Sequence, residues 1–61
     1  MVRQVIARAV LSGDREGTEP IGHVEMGDTF EAVEIASDFA WGTVRPAGTV
    51  GYIKLSALKN P

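Results

Sequence analysis

No cysteine occurs in the 61 residues, so no disulfide can staple the fold and no thiolate can ligate a metal or attack a substrate. One histidine, His23, is too few for the nitrogen and sulfur ligand sets of structural zinc. No motif surrounds it either, so neither a Ser-His-Asp nor a Cys-His arrangement can be assembled. No apolar run approaches the roughly 18 residues of a membrane span, and no basic-then-apolar leader opens the chain. Basic residues are few: six Lys and Arg stand against eight Asp and Glu, for a net charge of −2. Neutralised phosphates supply most nucleic-acid affinity, so an acidic chain without a basic patch is a poor nucleic-acid binder. Sequence alone therefore predicts no metal, no cofactor, no membrane and no nucleic acid.

What remains is an ordinary globular composition, 44% apolar, in one short domain. A chain of this size buries only about 60% of the surface it exposes when unfolded. With no disulfide or metal to help, a well-connected and preferably closed sheet is expected. The chain ends in Asn60-Pro61 and reads as a domain excised from a longer protein. Charge is unevenly placed. All eight carboxylates lie between Asp14 and Asp38, while Arg3, Arg8, Arg45, Lys54 and Lys59 occupy the two ends.

Seven glycines interrupt the chain too often for helices of ordinary length. The runs between them are rich in Val, Ile, Phe and Thr and read as strands. Residues 4–11 form the first, of ambiguous facing because Ala7 and Ala9 are small. A polar loop with two glycines and a closing proline follows, over residues 12–20. Residues 21–24 resume an extended segment, and Glu25-Met26-Gly27-Asp28 is a tight turn. Residues 29–36 form the strongest strand, whose apolar pattern slips and predicts a bulge or bend. Residues 39–45 and 50–54 complete a meander through turns at 37–38 and 46–49, and residues 55–58 allow one helical turn. The expected fold is all-β, a small five-stranded barrel.

The order of these elements resembles SH3 domains, and the bacterial SH3-like (SH3b) branch in particular. The residues carrying the resemblance are Gly27-Asp28-Thr29-Phe30, Ala40-Trp41-Gly42-Thr43-Val44, Gly48, and Gly51-Tyr52-Ile53 with Leu58. Within that branch the chain looks most like the SH3-like domains preceding the catalytic domain of NlpC-type cell-wall peptidases, which cleave the γ-D-glutamyl bond of peptidoglycan stem peptides. The resemblance implies an accessory module that positions stem peptide or shapes the cleft of an adjoining catalytic domain, where the cysteine and histidine of the reaction would lie. A competing expectation is a protein–protein interaction or scaffolding module. Binding of proline-rich helices is not implied. That needs an aromatic-lined groove, and the positions of the proline and tyrosine that line it in eukaryotic SH3 domains here hold Lys54 and Ala57.

Candidate binding residues follow from both readings. Phe39 and Trp41 alternate onto one strand face, either packing at the core edge or forming an exposed pair for a ligand or partner. Tyr52 has the same two roles open to it. Asp14, Glu16 and Glu19 are either a solvated loop or acceptors for an ammonium, such as the free amine of a stem peptide. Glu31 and Glu34 are expected on opposite strand faces, which argues against an acid–base pair. No catalysis is expected within the chain.

Overall fold

The computed structural model describes residues 1–45 and 47–59. They form an all-β domain, 24 × 22 × 18 Å, built on one six-stranded antiparallel sheet. The strands are β1 (Val2–Gln4), β2 (Ala9–Ser12), β3 (Pro20–Val24), β4 (Thr29–Ala36), β5 (Phe39–Arg45) and β6 (Thr49–Lys54), followed by a 3-10 turn at Leu55–Ala57. Their order across the sheet is β1-β4-β5-β6-β2-β3, so the outermost strands are β1 and β3. The expected turn at 46–49 falls partly outside the described residues, and Asn60-Pro61 wholly so.

Six strands rather than five is a correction, and its cause lies at Val5 and Ile6. The expected first strand, 4–11, is split into β1 and β2 by a corner. There the Val5 N–H donates to the Asp28 carbonyl (2.8 Å), and the Val5 carbonyl accepts from Gly27 (2.9 Å). The Ile6 N–H donates to the Ala57 carbonyl (2.8 Å), and Val5 bridges Leu58. Buried backbone groups must find partners; here the partners belong to two distant segments, and the chain turns to meet them. Among the described residues β1 and β3 are not paired, so the sheet remains open where a closed barrel was expected.

The meander β4-β5-β6 is the scaffold. Alternation along each strand sends Phe30, Ala32, Ala40, Val44 and Ile53 into the core. Val5 from the corner, Leu11 and Val24 from the β2–β3 hairpin, and Ala57 and Leu58 from the C-terminal segment complete it. Every strand except β1 thus contributes to one apolar cluster, as a domain this small requires. The opposite face carries Thr29, Glu31, Trp41, Thr43 and Tyr52, aligned by the pairings Glu31↔Thr43 and Trp41↔Tyr52.

The expected bulge is present on β4, between Ala32 and Glu34. Val33 is the extra residue, and it shifts the register by one. Glu31 lies opposite Thr43 and Glu34 opposite Trp41, two positions on the same face of β5. Glu31 and Glu34 therefore share a face, contrary to the expectation that they point apart. Beside the bulge, Ala32 pairs with Gly42, and Gly42 pairs with Gly51. A Cβ on Gly42 would overlap the Glu31 carbonyl oxygen and lie 2.9 Å from Ala32 Cα, and one on Gly51 would lie 2.8 Å from the Ser12 carbonyl oxygen. Two side-chain-free positions in adjacent strands let neighbouring backbones close in where the sheet bends.

Candidate functional site

The polar loop between β2 and β3 is held in one shape by Asp14. Its carboxylate accepts from the Thr18 hydroxyl and from the Glu19 backbone N–H (2.9 Å), and its carbonyl accepts from Gly17 N–H (3.2 Å). Gly13 N–H closes the loop on the Glu19 carbonyl at 2.8 Å. The Thr18 hydroxyl, more than any other group, holds the Asp14 carboxyl below its ordinary acidity range. Asp14 is thus a brace of the loop, with its oxygens engaged inside it.

This brace carries Gly17 to Phe39 on β5. Gly17 has φ +75°, and a Cβ there would stand 3.1 Å from Phe39 Cζ. A positive φ costs a side-chain-bearing residue roughly 1–2 kcal/mol, so glycine is favoured twice at this position. The contact joins the loop to the start of β5 and closes one side of a groove of about 660 Å³.

The other side of the groove comes from Lys54 at the end of β6 and from Ser56 and Ala57 of the 3-10 turn. Ala7, Arg8, Ala9, Val10 and Ser12 form the wall that leads into and along β2, and Glu16 faces in from the loop. The volume lies within the range of about 300–1,000 Å³ usual for small-ligand sites. Ala7, Ala9, Gly17 and Ala57 have little or no side chain and so leave the groove open along their walls. Arg8 is tied to Glu25 by an exposed ion pair (Nε to Oε2, 3.1 Å).

The expected site residues divide into three groups. Phe39 and Glu16 line the groove. Trp41 and Tyr52 are cross-strand partners on the outer face and half-buried, in a row running Glu34, Trp41, Tyr52, Ser12 through β4, β5, β6 and β2. Asp14 is internal to the loop, while Glu19 is exposed and contributes its backbone to loop closure. The loop carboxylates are therefore not gathered into one acceptor cluster. His23 lies exposed on β3 opposite Val10.

Arg8, Ser12, Lys54 and Ser56 were not expected as groove residues. Lys54 had a signal in the sequence, as the charged residue that ends the expected strand 50–54. Ser12 had none, because its placement depends on the pairing of β2 with β6 at Ser12↔Tyr52. Elsewhere on the outer face Glu31 is held by Arg45 (Nε to Oε1, 2.9 Å), and that guanidinium is the chief cause of its lowered pKa. Among the described residues no three His, Asp or Glu side chains are placed to hold a metal ion, and no helix is long and apolar enough to cross a membrane. Compared with family models, curated proteins and solved structures, the chain matches none of them.

Proposed function

We propose that this domain is a non-catalytic SH3-like module of the bacterial branch, which holds a short peptide in the groove between the 13–19 loop and the 3-10 turn. In its leading form the peptide is a peptidoglycan stem peptide, presented to or shared with an adjoining NlpC-type catalytic domain. One observation carries the reading. The groove lies where SH3-like folds place their ligands, between the long polar loop after β2 and the segment after β6, with Phe39 between them. The element order supports the same assignment, as does the Val5↔Leu58 bridge that brings the C-terminal segment beside the N-terminal one. The groove offers apolar walls, hydroxyl donors and cations, which suit binding rather than bond cleavage.

A second reading, a protein-interaction module, is favoured by Trp41 and Tyr52. They sit side by side on the outer face and outside the groove, and paired aromatics are frequent anchors of protein interfaces.

A chemical-shift titration of the ¹⁵N-labelled domain with L-alanyl-γ-D-glutamyl-diaminopimelate tests the proposal. Saturable shifts at residues 8–12, 16–17, 39 and 54–57 are expected. No shift at millimolar peptide overturns stem-peptide binding, and shifts confined to Trp41 and Tyr52 move the site to the outer face.

A further inference from the structure

We propose that the free edge of β3 takes up an extended strand of a partner protein, one that lays a large apolar side chain over Gly22 and a basic side chain against Glu19. This site is distinct from the groove, to which β3 contributes only Pro20.

β3 is outermost in the sheet, and among the described residues its backbone pairs with β2 alone. The other outermost strand, β1, is partly covered, since Lys59 N–H donates to the Gln4 carbonyl (2.9 Å) and Val5 bridges Leu58. An uncovered edge leaves alternate N–H and C=O groups turned outward, a template for one more strand. Charge, proline and bulges commonly guard such edges. Here Pro20 and the register shift beside it guard one end, while Ile21–Val24 hold no Lys, Arg, Asp or Glu. Ile21 is 50% exposed.

Gly22 lies within that edge. Of the seven glycines, three take a positive φ and three others would bring a Cβ to 3.1 Å or less from another atom. Gly22 does neither, and a Cβ there meets nothing within 4 Å. Glycine weakens a strand interior, and it often marks the close approach of another backbone. Gly22 stands opposite buried Leu11, so its bare position is on the core side of the sheet, the side of Val24. A side chain from an added strand fills such a space, as aromatic rings cover edge glycines across a ladder.

Charge separates the partners that could add there. Residues 12–28 hold five carboxylates, Asp14, Glu16, Glu19, Glu25 and Asp28, against Arg15. Arg8 pairs with Glu25 from across the hairpin, whereas Glu19 is exposed and forms no ion pair among the described residues. A second copy added antiparallel about Gly22 would set Glu19 opposite Glu25 and bring two acidic hairpins together, which is unfavourable. A basic strand is attracted to the same edge.

The probe is acetyl-Lys-Thr-Val-Phe-Val-Thr-Lys-amide, which reads alike in both directions and sets a lysine three residues to either side of the ring. One control has glutamates for the lysines; another has prolines for the valines and cannot complete a ladder. With the ¹⁵N-labelled domain, the lysine peptide should give saturable shifts at residues 21–25 and slow the exchange of outward-facing β3 amides. The glutamate peptide should bind about tenfold more weakly, and the proline peptide should leave β3 unshifted. Glu19→Lys should weaken the lysine peptide about fivefold and strengthen the glutamate peptide. Gly22→Val should remain folded, since its Cβ meets open space, and should weaken the lysine peptide about fivefold by occupying the place of the ring. Equal binding of the lysine and glutamate peptides overturns the choice of partner, and unaltered binding by Gly22→Val overturns the part given to Gly22. No shift in β3 at millimolar peptide overturns the edge as a site. Protection of β3 amides that grows with protein concentration, without peptide, assigns the edge to a second copy and overturns the proposal. Groove resonances report on the proposed function separately, so either can fail alone.

Discussion

Replacing Gly42 with alanine tests whether the backbones of β4 and β5 meet as closely as described. The new Cβ would overlap the Glu31 carbonyl oxygen and stand 2.9 Å from Ala32 Cα. Carbon atoms in contact sit about 3.5–4.0 Å apart, so the strands must part by about 0.6 Å or more at the Ala32↔Gly42 pair. Overpacking against side chains that can shift costs about 1–3 kcal/mol. Here the obstructing atoms are backbone, and moving them stretches the ladder on both sides of the bulge. A loss of about 3 kcal/mol or more is therefore expected. At about 0.05–0.15 kcal/mol per residue, a domain of 61 residues has about 3–9 kcal/mol in total. Urea unfolding followed by Trp41 fluorescence reads the effect. With a slope of about 1 kcal/mol per molar, the midpoint should fall by about 3 M, or the variant should be unfolded without denaturant. Gly22→Ala is the control, since a Cβ there meets nothing within 4 Å and the expected change is within about 0.5 kcal/mol. A Gly42→Ala midpoint within about 0.5 M of wild type would refute the reasoning.

Two further outcomes concern the loop and the acid limb. Gly17→Ala should lower stability by about 1–2 kcal/mol through its positive φ, and should also move the Phe39 amide and ring resonances; an unmoved Phe39 would disprove the loop–strand contact. Asp14 and Glu31 have folded-state pKa values depressed by Thr18 and Arg45 respectively. The stability they contribute is fully present above the unfolded carboxylate range of about pH 4–4.5 and is lost as pH falls through the lower folded values. Urea midpoints measured from neutral pH downwards should therefore decline below that range, and combining Thr18→Val with Arg45→Met should flatten the decline. An unaltered slope in the double variant would show that these contacts do not persist in solution.

The meander was legible in the sequence because its signals are local. Residues 29–45 alternate in character, Ser37-Asp38 is a two-residue turn, and the structure places β4 and β5 at the expected boundaries. The break between β1 and β2 was not legible, since what ends β1 is the demand of Val5 and Ile6 for partners at residues 27, 28 and 57. The slip in β4 was visible, but its effect on facing was not: one inserted residue reverses the parity of everything after it, and Glu34 crossed to the side of Glu31. Phe39 and Glu16 stand out in the sequence as an aromatic and a charged residue, and both line the groove. Ser12 acquires its place from a single long-range pair with Tyr52, which no local signal reveals.

That pair has a consequence for cooperativity. Among the described residues, the β2–β3 hairpin joins the rest of the sheet through one ladder pair, Ser12↔Tyr52, together with the buried side chains of Leu11 and Val24. The meander has long ladders on both sides of β5. Cooperative units of unequal strength open separately, the weaker one without global unfolding. The seam between them runs beneath the groove, whose walls come from the hairpin on one side and from β5, β6 and the 3-10 turn on the other. A ligand bound in that groove would stitch the two units together, and part of its binding energy would be expressed as slower amide exchange in the hairpin. Occupancy and rigidity are then two readings of one equilibrium.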